Sequence, residues 1–169
     1  MKLLTDHNKK EIPYFLKWIV LPLLIIALLM TWYLTSQNPV NTVDLSSKVQ
    51  SVPFVGTFLN WMGAYVDWSI RQWAHVFEFF IVGLFTMCCC KLLMKKKYLA
   101  PILALVCCAI FSVADQTHRL FVPGRHFDGF DLVLDALGYG SGILLVLLFG
   151  WIGRKAGNRY RRETKKQDR

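Results

Sequence analysis

Charge is scarce in this chain of 169 residues, and four long stretches have none at all. Only 18% of the residues are charged, against 54% apolar, and the mean hydropathy is +0.37. Residues 18–34, 79–90, 98–114 and 136–152 hold no charged side chain, and three of these runs are 17 residues long. A soluble globule does not need to segregate its charge in this way. A bilayer-spanning helix does, and it needs roughly 20 predominantly apolar residues. The run at 79–90 is shorter and gains its length upstream through 73–78, where it admits His75 and Glu78.

Other absences narrow the field. No cysteine lies in a polar segment: Cys88, Cys89, Cys90, Cys107 and Cys108 all fall in apolar runs, so no disulfide framework is implied. The consecutive triplet 88–90 steps about 100° per residue on a helix and presents no common ligand face, so it reads as packing. The first apolar run is long, and residues 34–38 offer no small-x-small cleavage site, so it reads as a retained span and not a signal peptide. There is no internal repeat, no HExxH metal motif, no nucleophile elbow, no glycine-rich phosphate loop and no catalytic cysteine. No cofactor and no metal is implied.

What is present is positive charge, a formal +9. Its distribution follows membrane topology. With four spans and both ends in the cytoplasm, the inner side holds 16 Lys and Arg residues and the outer side 4, namely Lys48, Arg71, Arg119 and Arg125. This is the bias of the positive-inside rule, and it removes the reason to invoke nucleic acid. The expected architecture is an all-α, polytopic membrane helical bundle in the cytoplasmic (inner) membrane. A cytoplasmic N-terminus (1–16) precedes a single transmembrane domain (17–152) with spans at about 17–34, 72–94, 98–115 and 130–152. A basic cytoplasmic tail (153–169) follows. Between spans one and two, Phe54, Phe58, Trp61, Tyr65 and Trp68 recur at three- and four-residue spacing, which predicts an amphipathic helix lying at the outer interface. Gly138 and Gly142 form a small-xxx-small pair that admits close helix approach.

Polar residues concentrate at one end of three spans. Arg71, His75 and Glu78 open span two on one face; Asp115, His118 and Arg119 close span three; Asp131 and Asp135 open span four. The short loop 120–129 carries Arg125 and His126 over them. Ionisable groups in a membrane cost about 2.5–3.5 kcal/mol each near a helix centre, so such a coincidence of depth points to a joint site. Helix-end charges that merely snorkel to water are the bland reading of any one residue.

The pattern Arg71-x-x-x-His75-x-x-Glu78, then Asp115-x-x-His118-x-x-Phe121-x-Pro123-x-Arg125, then Asp131-x-x-x-Asp135-x-x-Gly138, resembles the VanZ-like family of small bacterial membrane proteins. The resemblance covers residues 71–142. It implies a helical bundle in the bacterial cytoplasmic membrane and a link to the cell envelope through resistance to the glycopeptide teicoplanin. The family motif residues fall on His75, Glu78, Asp115, His118, Arg125 and Asp131. Where family members commonly read Asp-Glu-x-His-Gln, this chain has Asp115-Gln116-Thr117-His118-Arg119. A carboxylate has become an amide and an amide a cation, which favours an anionic ligand.

Three function classes follow. In a binder of an anionic, lipid-linked envelope component, such as a cell-wall precursor or a teichoic-acid-type component, Arg71, Arg119 and Arg125 would hold the ligand. Asp131 and Asp135 would shape the site, membrane lipids would be partners, and oligomerisation is compatible. In an intramembrane hydrolase or transferase, His75, Glu78, Asp115 and His118 would form the acid–base cluster. A small transporter or a structural partner protein is the third class. A transporter would need a polar path continuing to the cytoplasmic side, which the sequence does not show, whereas a structural role predicts mutually satisfied pairs with no cavity.

Overall fold

The computed structural model describes residues 15–37, 44, 47, 48, 50–63 and 68–167. Among the described residues, four helices are long and apolar enough to cross a membrane: α1 (Phe15–Thr35), α3 (Ile70–Leu93), α4 (Ala100–His118, prolonged by a 3-10 turn over Arg119–Phe121) and α5 (Gly129–Gln167). A shorter helix, α2 (Pro53–Gly63), lies between α1 and α3. No strand occurs among the described residues.

Local chemistry sets the helix ends that matter for function. Ser69 caps α3: its hydroxyl accepts from the Gln72 amide, and the Gln72 side chain accepts from the Ser69 N–H at 2.7 Å. This reciprocal capping box starts the helix two residues before the expected Gln72. Pro101 sits in the first turn of α4, where its missing N–H costs nothing. Between α4 and α5 the chain reverses through Val122-Pro123-Gly124-Arg125, with Arg125 N–H donating to the Val122 carbonyl at 3.1 Å. Gly124 has φ 79°, so proline and glycine occupy the two central positions of a type II turn. Asp128 then accepts from the Phe130 N–H at 2.9 Å at the entry to α5.

The bundle is organised around α3 and α5, which touch backbone to backbone. A Cβ on Gly142 would sit 2.8 Å from the Leu84 nitrogen, and one on Gly138 would sit 2.9 Å from the Phe79 Cβ. From the other side, a Cβ on Gly83 would lie 2.6 Å from the Tyr139 Cα. The small-xxx-small pair of α5 thus works with a third glycine, on α3, that the sequence pattern did not single out. Below this crossing, Val82, Met87 and Cys90 of α3 pack with Ala100, Ala104 and Cys108 of α4 and Ile143 of α5. The cysteines are free thiols, and three of them (Cys89, Cys90 and Cys108) are buried.

Two elements depart from the expected boundaries. The expected fourth span ended at 152, yet α5 runs without a break into the basic segment. Charge ends an apolar run but does not end a helix when the residues that follow are good helix formers such as Lys, Arg and Glu. In the segment where an amphipathic helix was expected, the structure has the 11-residue α2, with Phe54 81% exposed, while Tyr65 lies outside the described residues. Phe58 and Trp68 both meet Trp73 in the first turn of α3, with ring centroids 6.0 and 5.0 Å apart.

Candidate functional site

The end of α1, the start of α3, the end of α4 and the start of α5 meet at one end of the bundle, and there the polar residues converge. Asp135, fully buried, lies on α5 one turn below Asp131. One of its oxygens accepts from the Ser112 hydroxyl of α4 at 2.7 Å, and the other lies 3.2 Å from His75 Nδ1 of α3. The other ring nitrogen, Nε2, is 2.7 Å from Arg119 Nη2. Arg119, only 1% exposed, also donates a short hydrogen bond through Nη1 to Asp131 Oδ2, and its Nη2 lies 3.6 Å from Asp115 Oδ2. Arg71 reaches the same Asp131 oxygen from the rim, at 3.2 Å.

The network is therefore a guanidinium held among an imidazole and two aspartates, with a second guanidinium closing it from outside. In an apolar environment a lone buried charge is expensive, and opposite charges that also hydrogen-bond offset much of that cost. Arg119 suits the position because its planar fork serves several acceptors at once. The helix spacing explains why these residues meet: on α4, Ser112, Asp115 and Arg119 stand at i, i+3 and i+7, one stripe facing α3 and α5.

Not every polar atom is satisfied. Among the described residues, Asp115 accepts no hydrogen bond within reach of either oxygen, although Thr35 of α1 lies beside it. Gln116, fully buried, has neither amide atom bonded, and the Arg119 Nε and His118 Nδ1 are likewise without partners. Of the two positions where the chain departs from the family pattern, one thus holds a buried amide without a hydrogen bond among the described residues, and the other holds Arg119, the centre of the network.

The other expected residues lie around this core. His118 turns away from the aspartates and stacks on Trp32 of α1, with ring centroids 4.1 Å apart. Arg125 donates from Nε to the Gln37 carbonyl at 2.8 Å and so clips the α4–α5 loop to the end of α1. Burial, with Arg119 and Arg71 nearby, moves the Arg125 guanidinium below its ordinary pKa. His126 is exposed. Glu78 stands one turn below His75 and forms the wall of a groove between α1 and α3. The structure thus brings together Arg71, His75, Asp115, Arg119, Asp131 and Asp135. It sets His118, Arg125 and Glu78 at the edges of that group. Ser112, Trp32 and Thr35 had not been singled out. Ser112 was findable from its i+3 relation to Asp115; the sequence marked Trp32 only as an interfacial aromatic at the end of the first span, and nothing marked Thr35. No group of three His, Cys, Asp or Glu side chains among the described residues is arranged to hold a metal ion.

No curated protein and no solved structure matches the chain. A family model does match, and it extends beyond the motif segment to take in most of α1. The match covers residues 20–150, well over half of the sequence, and the chain belongs to the VanZ/LLP1 family, multi-pass membrane proteins of the cell envelope linked to glycopeptide resistance.

Proposed function

We propose that the polar end of this bundle binds the anionic head group of a lipid-linked envelope component at the outer face of the cytoplasmic membrane. The observation that carries this reading is Arg71. Its side chain is 48% exposed at the rim, and it spends one Nη2 hydrogen bond on Asp131. Its fork makes no other hydrogen bond among the described residues, and the donors left over suit a phosphate or carboxylate. Asp131, itself fixed by Arg119, holds Arg71 in place. The 16-to-4 charge distribution supports an orientation with both chain ends inside and this end outside.

The enzyme reading has one supporting observation, the His75–Asp135 pair, in which a carboxylate orients an imidazole. Two others weigh against it. The second nitrogen of His75 is engaged by Arg119, and His118 stacks on an aromatic ring and pairs with no carboxylate among the described residues. A general base needs a nitrogen within reach of the proton it removes. Binding therefore fits the geometry better than acid–base catalysis.

The test compares wild type, Arg71→Ala and Arg71→Lys in a teicoplanin-susceptible bacterial host at matched membrane levels. The purified proteins are then assayed for retention of phosphatidylglycerol from mixed phosphatidylcholine vesicles. Arg71→Ala is expected to lose both teicoplanin protection and anionic-lipid retention while folding normally, and Arg71→Lys to keep part of each. Full retention of both by Arg71→Ala would overturn the reading.

A further inference from the structure

Below Arg71 the facing sides of α1 and α3 do not close on each other. They leave a groove of about 430 Å³, in the size range of ligand sites. On α3 it runs from Ala74 to Phe85, and on α1 from Leu34 to Leu23. Each side spans 12 residues, a rise of about 17 Å of helix. That is close to half of a hydrocarbon core roughly 30 Å thick, so the groove is as long as one leaflet is deep. Its upper end lies one turn below Arg71, since 71, 74 and 78 share a helix face.

The groove is apolar apart from Thr31 and Glu78. Glu78 forms no hydrogen bond and no ion pair among the described residues; Asp115, His75, Arg119 and Asp135 act on it only at longer range. A carboxyl group in the wall of a lipid-depth groove needs a partner. Nothing on α1 or α3 supplies one. Glu78 stands seven residues, about 10 Å of helix rise, from Arg71.

We infer that this groove is a lipid-tail site whose occupant carries an anionic group at Arg71 and a hydrogen-bond donor, a hydroxyl or amide N–H, at Glu78. The inference rests on the head-group reading above and specifies its ligand class. Three features select a lipid over a partner helix: the one-leaflet length, the cation at the aqueous end, and a single acceptor set at mid-leaflet depth. Specificity would arise because a tail without the donor leaves Glu78 unpaired, whereas the matching lipid satisfies it.

The probe is octadecanoate bearing a photoactivatable diazirine near its methyl end. It is applied to the full chain in phosphatidylcholine vesicles, and adducts are mapped by mass spectrometry. Adducts are expected on groove residues of α1 and α3 near Leu23 and Phe85. Octadecanoate with a mid-chain hydroxyl should compete up to about tenfold better than plain octadecanoate, the ratio one hydrogen bond supports. Glu78→Leu should abolish that ratio while leaving total labelling in place. Adducts scattered over all lipid-facing helices, equal competition by the two fatty acids, or crosslinks to a second copy of the chain would each overturn the inference. Arg71→Ala separates the two readings. If labelling stays in the groove and becomes indifferent to removal of the carboxylate, the groove and the head-group site both stand. If Arg71→Ala changes nothing while the hydroxyl preference persists, the head-group reading fails and the Glu78 subsite stands. If anion dependence requires Arg71 but adducts fall elsewhere, the groove inference alone fails.

Discussion

Arg119 Nη2 donates to His75 Nε2 across 2.7 Å, and this contact fixes the tautomer of the imidazole. A guanidinium has only donors, so Nε2 must accept. The ring proton then lies on Nδ1 and points at Asp135 Oδ1, 3.2 Å away. His75 is thereby oriented from both sides, by Arg119 at one nitrogen and by Asp135 at the other.

That assignment is directly measurable. In nitrogen-15 spectra of histidine-labelled protein, the ring signal lost in His75→Gln should carry its proton on Nδ1. Arg119→Met should release the constraint and let the other tautomer populate. A His75 ring protonated at Nε2 in wild type would contradict the network.

Removing Arg119 should also be costly to the fold. Arg119→Met leaves Asp131, Asp115 and His75 with a shared partner gone in an apolar setting, and loss of one member of a buried ion pair typically costs about 3–5 kcal/mol. Gln116→Met, one turn away and equally buried, removes an amide with no partner among the described residues, so it should change stability by less than about 1 kcal/mol. Thermal melting of the two variants in the same detergent checks the contrast. Similar losses for both would mean that the amide has a structural role.

Glycine substitutions along α5 should split by position. Gly138→Ala and Gly142→Ala each drive a methyl into the α3 backbone and should destabilise by about 1–3 kcal/mol or more. Gly140 has nothing within 4 Å of its would-be Cβ, so Gly140→Ala should be neutral or favourable by up to about 1 kcal/mol from helix propensity. Melting curves and detergent-resistant fold of the three variants test this. Equal behaviour would deny the close α3–α5 crossing.

The charge-free runs made the four spans legible, because a membrane imposes length and apolarity on whatever crosses it. The depth coincidence of His75, Asp115, Arg119, Asp131 and Asp135 was equally legible from i+3 and i+4 spacing. Partner choice was not. Arg119 and His118 are neighbours in sequence, yet one enters the ion network and the other faces α1. The helical step separates them by about 100°, and the helix tightens into a 3-10 turn at that point. Which side would be filled depended on Trp32, and no motif in the first span announced it. Nor does an arginine's position in a sequence say whether its fork is spent on an aspartate, as at Arg119, or left partly open, as at Arg71.

Docking of α1 should depend on the Trp32–His118 contact. α1 presents many large apolar side chains outward, and at the polar end it is tied to the bundle through this ring pair and through the Gln37 carbonyl bound by Arg125. Aromatic pairs of this kind contribute about 0.5–1.5 kcal/mol beyond the area they bury. In a double-mutant cycle, Trp32→Leu and His118→Leu should each lower the melting temperature, and the double variant should lose less than the sum, with a coupling of that size. The distance between spin labels on the outward faces of α1 and α3 near this end should broaden in either single variant. Additive losses with an unchanged distance distribution would mean that α1 is held by its apolar packing against α3 alone, and the ring contact would then play no part in keeping the groove between them in shape.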